Sequence, residues 1–247
     1  TTAMYHLAQE LARLGWRVIT TTTTMIRPPS SDQTERLIVT DEPEEVLRLT
    51  KEALQQKNLI TLASRRLQAE NKLKGIEPGL TATLAQMADV VIVEADGAKG
   101  LSLKAPADHE PVVPAETALF VPLVGMDAVG QKLTAQAVHR PELVSTLTGL
   151  MLGETITPQA IARLLIHPQG ALKGAPAHAR IIPLLNKVHS EAALATARQV
   201  AHQIKGNPLL TRVLIGAVAT DDPITECWRR VSAIVLAAGG SKRFGIP

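Results

Sequence analysis

The chain has 247 residues, 45% of them hydrophobic and 20% charged, with a mean hydropathy of +0.10, so it can bury a sizeable core and is not a disordered polymer. Its 26 Lys and Arg are interspersed with 23 Asp and Glu, and its aromatics are confined to Tyr5, Trp16, Phe120, Trp228 and Phe244, which argues against nucleic acid as a partner. No run approaches the roughly 20 apolar residues of a bilayer span, the single Cys227 excludes an intrachain disulfide, and residues 1–20 carry no signal-peptide pattern, so the expected compartment is cytoplasmic, with no membrane partner.

A helical pattern is running by residue 3, with Met4, Leu7, Ala8, Leu11 and Ala12 on one face and Gly15 stopping it. Trp16 to Thr21 reads as a strand, followed by threonines at 20–24 and the Pro28-Pro29 break; Arg36 to Thr40 is a second strand. Asp41 with Glu44 resembles a capping box for a helix whose apolar face is Val46, Leu47, Leu49, Ala53 and Leu54. Leu59 to Ala63 is a short strand, and Leu80, Leu84 and Met87 mark a helix leading into Asp89 to Glu94. That unbroken apolar run predicts a central parallel strand covered on both faces. Residues 97–117, with Pro106, Pro111 and Pro114, read as a long loop that is functional or disordered.

Leu119 to Val124 is another predicted strand, and a helical region follows to about residue 166, with Thr157-Pro158 as cap and first turn. Ile181 to Leu185 and Val213 to Val218 are strands around a helix from Ser190 to Lys205 that turns Leu194, Ala197, Ala201 and Ile204 inward. The alternation predicts an α/β fold with a doubly wound, mainly parallel sheet over residues 1–220. Residues 221–231 read as a linker, and 232–247 as the first strand and glycine-rich loop of a second domain.

The chemistry-bearing residues gather at predicted strand ends, where open α/β sheets bind ligands. Glu94 and Asp96 close the Val90-Val-Ile-Val run and are candidate magnesium ligands, while Gly97 would let the backbone approach a phosphate; an acidic strand-to-loop turn is the plainer alternative. Lys104, Asp108, His109 and Glu110 crowd the following loop with side chains that a phosphate or metal site recruits, although a solvated proline-stiffened loop is the plainer reading. Thr1 and Thr2 open a helix. A Gly-Lys pair before them would make Thr1 the magnesium-binding hydroxyl of a phosphate loop. Asn186-Lys187 follows a strand as in base-recognising turns, but His189 replaces the carboxylate that guanine needs, and a neutral imidazole cannot accept two hydrogen bonds. Finally Gly239, Gly240, Ser241 and Arg243 join a strand to a loop fit to curl around a nucleoside triphosphate.

The threonines at 20–24, the runs Glu94–Gly100 and Leu103–Pro114, His139-Arg140-Pro141-Glu142 and Asn186-Lys187 together resemble the YqeC-type family of selenium-dependent hydroxylase accessory proteins, over about residues 1–220. The resemblance implies a P-loop NTPase-like fold that here lacks its first strand and phosphate-binding loop. It further implies Mg2+ with ATP or GTP as cofactors, magnesium at Thr1, Glu94 and Asp96, and an effector side at Lys99, Lys104, Asp108 and His109. Residues 232–247 resemble the opening of the molybdenum cofactor cytidylyltransferases, which implies CTP for that domain and, as partners, the molybdopterin cofactor and a molybdenum hydroxylase. Without the loop lysine these 247 residues are expected to hold nucleotide weakly or not at all. A non-catalytic cofactor carrier or docking module, with residues 97–117 as its contact surface, is the competing reading; an enzyme acting on a small phosphorylated metabolite is a third, resting on fold analogy.

Overall fold

Helix Thr2–Arg13 opens the chain and turns Met4, Tyr5 and Ala8 into the core. Leu7, expected inward, is exposed, because it sits about 100° of helix rotation from the stripe that Met4, Ala8 and Ala12 define. The computed structural model describes residues 1–229, so the predicted nucleotidyltransferase opening, including Gly239, Gly240, Ser241 and Arg243, lies outside the described residues.

The fold is α/β with mostly parallel pairing, as expected, but its strands are divided between two four-stranded sheets and smaller ones instead of forming one doubly wound sheet. The first runs in the order Arg36–Val39, Leu59–Ala63, Val18–Thr22, Val90–Glu94, all parallel. Its second strand and its Val18–Thr22 strand are buried at every position, including Thr20, Thr21 and Thr22. Burial without loss is possible because each hydroxyl finds a neighbour. Thr20 Oγ1 lies 2.8 Å from Thr61 Oγ1, Thr21 Oγ1 donates to the Leu62 carbonyl at 2.9 Å, and Thr22 Oγ1 donates to the Glu94 carbonyl at 2.6 Å. Gly75 crosses this threonine run so closely that a Cβ would stand 2.1 Å from the Thr22 carbonyl oxygen.

Val90–Glu94 is an edge strand among the described residues, paired only with Val18–Thr22, and all five of its residues are half-buried. The apolar run correctly signalled a parallel strand, but run length carries no information about whether both edges are paired. The helix Pro43–Leu54 also departs from expectation. Its N-cap is Glu42 with Pro43 in the first turn, and Thr40 Oγ1 donates to Glu45 in place of the Asp41–Glu44 capping box.

The second sheet runs Leu123–Gly125, Leu184–Asn186, Val213–Gly216, Ile224–Trp228, parallel until the last, which is antiparallel. The linker expected at 221–231 therefore contains a strand of this sheet. Proline at 122 and 183 splits the predicted 119–124 and 181–185 strands into Leu119–Phe120 with Leu123–Gly125, and Arg180–Ile181 with Leu184–Asn186. Helices Pro141–Thr148, Pro158–Ile166 and Glu191–Ile204 contribute to the large core on this half. Two of them start as expected: Thr157 Oγ1 and Ser190 Oγ each accept from a backbone N–H at 3.2 Å.

Candidate functional site

The carboxyl ends of the first sheet's parallel strands receive the amino end of helix Thr2–Arg13. There the backbone nitrogen of Thr1 lies against Glu94 Oε2, so the helix opening and the acidic strand tip meet. Beneath them Tyr5 is 1% exposed, and burial pushes its phenol up to about 12, with the Thr61 hydroxyl easing the shift and Glu94 adding to it. Thr2 lies exposed one residue into the helix.

Beyond Glu94 the chain does not wander as a loose loop. Val112 N–H donates to the Ala95 carbonyl at 3.1 Å and Thr23 Oγ1 donates to the Val112 carbonyl at 2.6 Å, so residues 95–112 form a closed excursion. Inside it Lys104 is drawn under the strand tip, where its ammonium pairs with Asp96 Oδ1 and donates to the Gly97 carbonyl and Glu110 Oε2, both at 2.8 Å. Arg140 closes the cluster with a two-pronged contact to Glu110, at 2.6 Å and 3.0 Å.

Electrostatics follow from this packing. Burial raises the Asp96 carboxyl above its ordinary value despite the Lys104 contact. Burial works the same way on Glu110, yet hydrogen bonds from Arg140 and Lys104 outweigh it and hold that carboxyl well below the usual range. His139 is lowered by desolvation first, then by Arg140, Lys104 and Lys99. Lys104 is thus an internal cation, not a free charge awaiting a phosphate.

The remaining expected residues are more dispersed. Lys99 is exposed with a φ of +52°. His109 is 78% exposed, its Nε2 3.7 Å from Glu110 Oε1, and Asp108 contributes its carbonyl, at 3.2 Å, to Lys173. Asn186 is buried, and its Oδ1 accepts from Val218 N–H at 3.0 Å, which fixes the turn after its strand. Lys187, at a φ of +63°, donates to Ser102 Oγ at 2.6 Å and pairs with Asp127 at 3.0 Å. Because the Ser102 carbonyl also accepts from Gly125 N–H at 2.8 Å, the Asn186-Lys187 turn is joined to the excursion that begins at Glu94.

Arg140, Ser102 and Asp127 are members of these clusters that the sequence did not single out, and Glu110 read as a phosphate- or metal-site candidate, not as a partner of Arg140. Glu110 and Arg140 each precede a proline, but thirty residues apart nothing in the sequence pairs them. Ser102 and Asp127 had no signal beyond flanking a strand.

No solved structure matches the chain. A sequence profile described as YqeC protein matches residues 1–142. The uncharacterized protein YqeC of Escherichia coli (strain K12) is 30% identical over 189 residues, which cover 76% of this chain and 72% of that protein. The matched segment contains the strand tip, the closed excursion and Arg140. By profile and by relative, the chain belongs to the YqeC family.

Proposed function

We propose that this chain is a nucleotide-dependent accessory factor in the maturation of selenium-dependent molybdenum hydroxylases, binding ATP or GTP with Mg2+ and joined through residues 232–247 to a CTP-using molybdenum cofactor nucleotidyltransferase. The observation that carries the nucleotide reading is the meeting of Thr1 and Glu94 at the carboxyl end of a parallel sheet. A helix amino end favours phosphate through its free N–H groups and dipole. The Thr1 hydroxyl and the Glu94 carboxylate are oxygen donors of the kind magnesium takes. Magnesium keeps several waters and takes phosphate oxygens as further ligands, so one or two protein donors are enough for it. Bound there, magnesium supplies neutralising charge to the phosphates. Asn186 and Lys187 lie on the base side of this reading, with His189 leaving the choice between adenine and guanine open. The hydroxylase role and the molybdopterin partner come from the family resemblance.

The test is calorimetric titration of the full-length protein with MgATP and MgGTP. Saturable binding that Glu94→Gln weakens about tenfold supports the reading; absence of binding to either nucleotide overturns it. A docking module is favoured by one feature, the exposed side chains of Leu119, Val121 and Leu123 at alternate positions. Capture of a molybdenum hydroxylase without any nucleotide, abolished by Val121→Lys, would select that reading.

A further inference from the structure

The two carboxylates at the tip of strand Val90–Glu94 keep different company. Glu94 Oε2 is enclosed and has no hydrogen-bond partner, with the backbone nitrogen of Thr1 beside it. Asp96 is held by Lys104. All three donors of that ammonium are used, on Asp96, the Gly97 carbonyl and Glu110, so it has none left for a phosphate. Asp96 already shares its charge with Lys104 through Oδ1, which makes it a weaker ligand for a divalent ion than Glu94.

The cluster reaches across the molecule. Lys104 lies in the short strand Leu103–Lys104, paired with Val138–His139, which delivers Arg140 at a φ of +60° to grip Glu110. Two cations and two anions balance within it, and their side chains are between 13% and 24% exposed, so the contacts are shielded from water and salt. The segment so fastened touches Glu94 at its start and Lys187 through Ser102.

We propose that Asp96, Lys104, Glu110 and Arg140 form a latch that positions residues 95–112 across the carboxyl ends of both sheets, and that Asp96 is therefore a positioning residue while Glu94 faces the cation. The assignment of Glu94 rests on the nucleotide reading above; the latch does not.

The full-length protein and its Asp96→Asn, Lys104→Met, Glu94→Gln, Arg140→Gln and Arg140→Lys variants decide the matter by hydrogen exchange over residues 95–112 and by magnesium titration at fixed ATP and at fixed GTP. Asp96→Asn and Lys104→Met should each speed exchange by about tenfold or more, the double variant no further, and Arg140→Lys should keep part of the protection that Arg140→Gln loses. Magnesium requirement should stay within about twofold in Asp96→Asn and rise about tenfold in Glu94→Gln, which leaves exchange unchanged. Unaltered exchange in Asp96→Asn and Lys104→Met overturns the latch. A magnesium requirement raised as much by Asp96→Asn as by Glu94→Gln overturns the division of roles while sparing the nucleotide reading. No binding by the unmodified protein overturns that reading and the role of Glu94, and the exchange data still judge the latch.

Discussion

Arg140 holds Glu110 with both terminal guanidinium nitrogens, at 2.6 Å and 3.0 Å, from a left-handed backbone position at the start of helix Pro141–Thr148. A pair of this geometry contributes mainly when both partners are present, since removing one leaves a partly buried charge uncompensated. Arg140→Gln should lower unfolding free energy by about 2 kcal/mol, less than for a fully buried pair because both groups keep some water. Arg140→Lys should recover under half of that, having one ammonium where two parallel contacts are needed. Urea unfolding measures both.

Stability should fall on acidification in two stages. His139 has a lowered folded pKa, so the unfolded chain takes up its proton first, and stability drops as pH falls below the ordinary value of 6.5. Glu110 has a depressed pKa, so its contribution is complete above the ordinary value of 4.5 and is lost as pH falls beneath it. Asp96, raised by burial, acts in the opposite sense and softens the second stage. Midpoints of thermal unfolding against pH should show the upper stage flattened in His139→Gln and the lower stage flattened in Glu110→Gln.

Gly75 has no room for a side chain, since the obstructing atoms belong to the Thr22 and Thr23 backbone and cannot rotate away. Gly75→Ala should cost about 2–4 kcal/mol by forcing apart the contacts from Gly75 N–H to the Thr24 carbonyl and from Ile76 N–H to the Thr22 carbonyl. Gly79, with open space around its Cβ position, is the control: Gly79→Ala should shift the urea midpoint little.

The hydroxyls of Thr20 and Thr61 are 2.8 Å apart and both fully buried. Thr20→Val removes the hydroxyl facing Thr61 and should cost about 1–2 kcal/mol. The double change Thr20→Val with Thr61→Val should be less harmful than the sum of the single ones, a sign of coupling that a double-mutant cycle in urea reads directly.

Lys187→Met separates structure from binding. Its ion pair with Asp127 is about half exposed, so stability should change by less than about 1 kcal/mol. Under the nucleotide reading, affinity for MgATP or MgGTP should nevertheless fall, which calorimetry detects; an unchanged affinity removes Lys187 from the base side.

What the sequence disclosed depended on the range of the interaction that carries it. Helix Glu191–Ile204 was readable in full, because Leu194, Ala197, Ala201 and Ile204 recur at helical spacing and Ser190 caps it locally. Thr157 was equally plain. The tip at Glu94 was readable as a strand end, and its proximity to Thr1 was an expectation that the fold realises. The edge position of Val90–Glu94 was not readable, since pairing depends on segments far away in the chain. Lys104 read as a free surface cation for the same reason: its neighbours Asp96 and Glu110 are near in sequence, but only the arrival of Arg140 from residue 140 makes the interior hospitable to all four charges.

The interleaved strand order also bears on how the protein is made. Val18–Thr22 sits between Leu59–Ala63 and Val90–Glu94, so it leaves the ribosome long before either neighbour exists. Its polar threonines, which later find partners inside the sheet, can meanwhile stay hydrated where a run of valines and isoleucines would invite aggregation. The threonine strand thus suits a segment that must wait for its partners during synthesis.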